Sequence, residues 1–133
     1  MKRYICKVIK NPGAWVEIEG KRFFGRSKWE RNYGLYLEFQ KQNKLIYDWH
    51  HEPTTFWFEG IKRGCTSYLP DFKVCPTIDS HYWVEVKGWL DPKSATKLKR
   101  MAKYYPDEVV VLIDSKWFAK NNRKLKGLIR GWE

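Results

Sequence analysis

Residues 82–88 read Tyr82-Trp83-Val84-Glu85-Val86-Lys87-Gly88. The alternation predicts a β-strand, with Tyr82, Val84 and Val86 on one face and Trp83, Glu85 and Lys87 on the other. A carboxylate and an ammonium thus share a face inside an apolar and aromatic stretch. Such charges are costly to bury unless they are paired or bind a ligand.

Downstream, Asp91-Pro92 reads as a helix entry, with Asp as N-cap and Pro in the first turn. The helix is expected over Lys93 to Tyr105, stopped by Pro106. Glu108 to Asp114 is almost pure Val, Ile and Leu, which suggests a strand buried on both faces. Ser115 to Asn122 suits a short helix, and the chain from Arg123 onward is basic. Upstream, Thr66 to Val74 is an extended run containing Tyr68-Leu69-Pro70-Asp71-Phe72, followed by a polar loop from Cys75-Pro76. Leu45 to Trp49 and Thr55 to Glu59 read as strands around Pro53, and Gly60 and Gly64 bracket a basic connector with Lys62 and Arg63.

Ser27 and Glu30 form a Ser-x-x-Glu capping box. It opens a helix in which Trp29, Tyr33, Tyr36, Leu37 and Gln40 recur at spacings of three and four, out to about Asn43. Before it, Tyr4 to Ile9, the Asn11-Pro12-Gly13 turn, Ala14 to Glu19 and the Gly20-Lys21 turn make an N-terminal β-meander. The order is meander, helix, three strands, helix, strand. It predicts an α/β or α+β domain whose mixed β-sheet is flanked by helices.

The chain has 133 residues, a length that suits one domain. Lys and Arg number 26 and Asp and Glu 15, a net charge of +11. Residues 1–86 carry 14 basic and 10 acidic groups, and residues 87–133 carry 12 and 5. This is the electrostatic footprint of a polyanion binder, nucleic acid above all; a solvated basic surface is the plainer alternative. Aromatic residues make up 17% of the chain, against the composition of disordered sequences. No apolar run approaches the roughly 20 residues of a membrane span. Lys7 and Lys10 break any leader-like stretch after Lys2 and Arg3. Cys6, Cys65 and Cys75 form no disulfide or zinc-knuckle spacing, which suits a reducing, cytoplasmic setting.

Asp71 precedes Glu85 by 14 residues, and a hairpin between their runs would set the two carboxylates side by side. Their repulsion favours a divalent cation between them. Hard oxygen donors suit Mg²⁺, with Mn²⁺ as a substitute.

Pro70-Asp71 followed by Glu85-Val86-Lys87 resembles the PD-(D/E)xK nuclease motif. The wider string from Arg63 to Phe72, and then Glu85 to Gly88, is similar to small phage nucleases of that superfamily, including the endonuclease I type of Holliday-junction resolvase. The likeness covers about residues 26–114. It implies a restriction-endonuclease-like core of the form αβββαβ over 27–114; the β-meander over 1–26 and the basic extension over 115–133 lie outside the likeness, in what is expected to be one nuclease domain. It also implies an Mg²⁺-dependent endodeoxyribonuclease acting on branched or four-way DNA, as a homodimer, in the host cytoplasm if phage-encoded. Asp71 and Glu85 resemble the metal-binding carboxylates, with the Val86 carbonyl as a further ligand. Lys87 resembles the lysine that positions the attacking water. Glu30 matches a position where such enzymes carry another acidic residue, and its capping-box role stands as the alternative. A nicking, restriction-like or transposition-end nuclease, or a non-catalytic DNA-binding module, are the other readings.

A polyanionic substrate would also explain the second helix. Lys93, Lys97 and Arg100 share a face, with Lys103 nearby, and Lys62 and Arg63 add charge from the connector. A solvated helix face is the alternative. Trp89, just past Gly88, is placed to stack on a base.

Overall fold

The computed structural model describes residues 13–18 and 21–133. The strand expected at Tyr4 to Ile9 lies outside them. The elements run β1 (Ala14–Ile18), β2 (Lys21–Gly25), α1 (Lys28–Gln42), β3 (Asp48–His51), β4 (Phe56–Trp57), β5 (Ser67–Tyr68), β6 (Phe72–Cys75), β7 (Tyr82–Val86), α2 (Pro92–Tyr104), β8 (Val110–Ile113) and α3 (Ser115–Leu128).

The fold is α+β. A mixed four-stranded sheet has the order β3-β6-β7-β8, antiparallel except for the parallel pair β7–β8. A parallel pair requires the chain to be carried back between strands, and α2 does this. β1 and β2 form an antiparallel hairpin, and β4 and β5 form a two-residue pair. Apart from that short pair, the order after the hairpin is helix, three strands, helix, strand, with a third helix at the end. Among the described residues no helix is long and apolar enough to cross a membrane.

β7 divides the core. Val84 and Val86 point into a cluster with Phe23, Tyr33, Leu37, Trp49, Phe72 and, from α3, Phe118 and Leu125. Trp83 points the other way, into Phe56, Phe58, Tyr68 and Met101 of α2. α2 and α3 therefore cover opposite faces of the sheet.

Local signals fix the helix starts. The Ser27 hydroxyl accepts from the Glu30 amide at 3.1 Å, and Asp91 accepts from Ser94 at 2.7 Å. Four expectations need correction. The strand read at 45–49 is Asp48–His51, and the long run at 66–74 is two strands broken at Leu69-Pro70-Asp71. α3 continues to Leu128 rather than ending near Asn122, because Leu125 extends the buried stripe begun by Phe118. β8 is not buried on both faces: it is an edge of the sheet, and Val109 and Val111 are 58% and 37% exposed. An apolar run reports β-propensity and not whether a neighbouring strand covers it.

Candidate active site

The β6–β7 hairpin brings Asp71 to Glu85, as their spacing suggested. Phe72 pairs with Val84, so Asp71 lies just beyond the paired register. Its Oδ2 accepts from the Val86 amide at 2.8 Å, which ties the carboxylate to β7. Glu85 Oε1 accepts from the Tyr68 hydroxyl at 2.9 Å. Both carboxylates line a cleft of about 790 Å³, together with Glu30, Lys87, Lys97 and Arg26.

Burial pushes the Asp71 carboxyl well above the ordinary aspartate value, and the charges of Glu85 and Glu30 push the same way. The Val86 amide and the Arg26 guanidinium do not offset this. Burial also raises Glu85, against the Tyr68 hydroxyl and the positive Lys87, Lys97 and Arg26. Burial and the neighbouring Glu85 raise Tyr68, so its hydroxyl stays protonated and can only donate to that carboxylate. Hard carboxylate oxygens that repel each other in one cleft are a donor set that a divalent cation stabilises.

Only half of the capping box forms at Glu30, whose Oε1 lies 3.4 Å from the Arg26 amide rather than on the Ser27 amide. Its backbone amide receives the Ser27 cap, while its carboxylate turns to β3, with Oε2 at 2.7 Å from His51 Nε2. Glu52 Oε1 lies 3.6 Å from the same nitrogen. Glu30, His51 and Glu52 each offer one ligand atom within 4.8 Å of the others, a group that could hold a metal ion. Glu52 has a left-handed φ of 48°, and its amide donates to the Asp71 carbonyl at 2.9 Å. The two groups of acids are thus linked through the backbone.

Lys87 Nζ lies 3.8 Å from Asp91 Oδ2, and its amide donates to the Ile113 carbonyl at 2.9 Å. Gly34 faces Phe23: a Cβ there would meet the ring at 2.4 Å, so the glycine makes room for β2 and not for a cation.

The basic residues are divided. Lys97 lines the cleft and Lys93 is exposed, while Arg100 donates to the Cys65 carbonyl and so secures the connector. Lys62, Arg63 and Lys103 are exposed. Trp89 is 71% exposed beside the cleft-lining Gly88.

Sequence reasoning missed His51, Glu52, Arg26 and the role of Tyr68. For His51 the signal was weak but present, since it keeps the parity of the buried Trp49 one step further along the strand. No family model matches the chain, and no similar curated protein or solved structure was found.

Proposed function

We propose that the protein is a divalent-metal-dependent endodeoxyribonuclease with a restriction-endonuclease-like core, acting on branched DNA. The observation that carries this reading is Asp71 and Glu85 side by side in one cleft, each held by a donor and each raised by burial, with Lys87 lining the same cleft just past the end of β7. The +11 charge supplies the attraction for a polyanionic substrate.

Asp71, Glu85 and the Val86 carbonyl would hold the cation, Mg²⁺ by preference for hard oxygens and Mn²⁺ as a substitute. When bound, the ion polarises water and screens the phosphate. Lys87 holds the attacking water by its oxygen and meets the negative charge that grows on the non-bridging phosphate oxygens. Water oxygen bonds to phosphorus as the bond to O3′ breaks; the water releases one proton to bulk solvent, and the leaving oxygen takes one proton from it. Tyr68 fixes the Glu85 carboxylate by donating to it. Glu30, oriented by His51, adds negative charge to the cation's surroundings.

One chain carries one Asp71–Glu85–Lys87 set and so cuts one strand. Resolution of a four-way junction needs two symmetry-related cuts, which a twofold homodimer supplies. The decisive experiment is nicking of supercoiled plasmid with and without Mg²⁺, alongside a panel of linear, nicked, flap and four-way DNA. Mg²⁺-dependent cleavage with four-way DNA preferred is the expected result, together with about twice the chain mass by light scattering. No cleavage of any substrate with either Mg²⁺ or Mn²⁺ would overturn the enzyme reading and leave a DNA-binding module.

A further inference from the structure

α3 is the strongest unassigned charged surface. Its 14 residues contain five basic side chains and no acidic one, and Arg130 follows. Phe118 and Leu125 face the core, and Trp117 packs on Tyr33 and Tyr36 of α1. On the opposite side Lys116, Lys120 and Arg123 follow one another at spacings of four and three, all exposed. Gly127 continues the row four residues on, and a Cβ there would meet nothing within 4 Å.

α3 itself starts near the cleft, although none of its residues lines it. β7 and β8 are parallel, so their C-terminal ends lie together, and the Lys87 amide bonds to the Ile113 carbonyl two residues before α3 starts. Trp29, which lines the cleft, stacks on Phe118 at 4.7 Å. From there α3 extends about 21 Å, at ~1.5 Å per residue. That is about six base pairs of duplex at the ~3.4 Å rise of one strand. α2 also leaves from this edge, with its own five basic residues and no acidic one, but on the other face of the sheet.

We propose that the Lys116–Lys120–Arg123 row of α3 is a backbone track for a second duplex arm, leaving the cleft on the sheet face opposite α2. The inference rests on the nuclease reading and specifies what kind of DNA fits it. A straight duplex cannot follow both helices. A duplex resists smooth bending over so short a length, whereas a branched substrate enters with its arms already diverging. The row reads phosphate, not sequence: lysine and arginine on a helix surface supply charge without entering a groove.

The test is binding without cleavage, by fluorescence anisotropy in EDTA, on a four-way junction and on a linear duplex no longer than one arm. The triple variant Lys116→Ala, Lys120→Ala, Arg123→Ala should reduce the slope of log Kd against log salt on the junction by about 2–3, at ~0.9 for each phosphate no longer neutralised. On the short duplex, which α2 and the cleft can hold alone, the reduction should be less than about 1, the effect of a single phosphate. Gly127→Arg lengthens the row where there is open space, and should steepen the junction slope by about 0.9. It tests the track by gain, independently of any folding defect in the triple variant. Unchanged slopes in both variants, or equal reductions on the two substrates, would overturn the second-arm track. A wild-type protein that binds neither DNA would instead overturn the nuclease reading itself.

Discussion

His51 Nε2 lies 2.7 Å from Glu30 Oε2, joining a strand residue to a helix residue 21 positions earlier in the chain. Glu30 is buried, and the His51 ring is packed between Phe23 and Phe72, with centroids at 4.6 and 5.3 Å. The imidazole therefore has little freedom, and it fixes where the Glu30 carboxylate points. Asp71 feels that carboxylate as one of the charges that raise it.

Removing the imidazole strips Oε2 of the buried Glu30 carboxylate of its partner and leaves only the Arg26 amide, 3.4 Å from Oε1. His51→Ala is expected to destabilise the fold by about 1–3 kcal/mol, the cost of orphaning a buried polar group. The Mg²⁺ concentration for half-maximal nicking should rise as well, because Glu30 is no longer aimed. His51→Gln keeps a donor on the side chain and should restore part of the metal response. Chemical denaturation and Mg²⁺ titration of nicking check the two effects. A variant as stable as wild type with the same Mg²⁺ midpoint would remove His51 from the site.

The carboxylates and the lysine should separate catalysis from binding. Asp71→Asn, Glu85→Gln and Lys87→Ala are each expected to reduce cleavage by about 10²-fold or more, the scale of losing one preorganised charged group at a reacting phosphate. DNA affinity in EDTA should increase in the first two, since each removes a negative charge facing phosphate, and should survive in Lys87→Ala with at most the loss of one phosphate contact. Asn at position 71 can still accept from the Val86 amide and no longer repels Glu85, so the metal-free Asp71→Asn protein should melt higher than wild type. Near wild-type cleavage by Glu85→Gln with Mg²⁺ present would show that the site is wrongly assigned.

The same repulsion sets a pH dependence. Asp71 has a folded-state value well above its ordinary one, through burial first and then Glu85 and Glu30. Glu85 is raised as well, chiefly by burial. Carboxyls of this kind ordinarily titrate near ~4 in an unfolded chain. The folded protein therefore binds more protons than the unfolded one between that pH and the raised values. The stability these groups contribute is complete below the unfolded value and is lost as pH rises through the folded value. Metal-free protein should thus lose part of its melting temperature as pH is raised from mildly acidic toward neutral. Added Mg²⁺ should recover it, more strongly at higher pH, because the ion competes with protons for the same oxygens. Melting curves taken from mildly acidic to neutral pH, with and without Mg²⁺, measure this. An Mg²⁺ effect independent of pH would contradict binding at Asp71 and Glu85.

The parts of the site that were legible in the sequence are those governed by local rules. Strand parity alone placed Glu85 and Lys87 together and separated them from Val84 and Val86. The caps at Ser27 and Asp91 and the proline after α2 fixed α1 and α2 to within a residue or two. What stayed hidden depends on partners far along the chain. The place of β8 at the sheet edge follows from how four strands are ordered, which an apolar run cannot encode. The His51–Glu30 contact needs β3 to run three residues past Asp48, and the polar Asp48-Trp49-His50-His51 carries little strand propensity. The full length of α3 is hard to read because its basic residues mask the periodicity of Phe118 and Leu125. That the Phe23 ring fills the space beside Gly34 depends on β2 folding back onto α1, which no local pattern in the sequence encodes.

That occupant gives the last prediction. A Cβ on residue 34 would stand 2.4 Å from the Phe23 Cζ and 2.7 Å from its Cε1. Phe23 is buried and packs edge-on against Trp49 and Phe72, at 5.8 and 5.9 Å, so the ring has nowhere to retreat without disturbing the core. It also packs on His51, which holds Glu30. Gly34→Ala should therefore destabilise by roughly 1–3 kcal/mol, the usual cost of overpacking a core. The loss exceeds the small gain in helix propensity that alanine brings at an unstrained site, about 1 kcal/mol at most. Phe23→Leu alone should also destabilise, by leaving a gap among these rings. Combined with Gly34→Ala it should cost less than the sum of the two, because leucine withdraws the atoms that the new methyl meets. A double-mutant cycle by denaturant titration measures the coupling, and strictly additive losses would mean that the two residues do not meet. Because the same ring supports His51, Gly34→Ala should raise the Mg²⁺ midpoint of nicking too, and the double variant should bring it part of the way back.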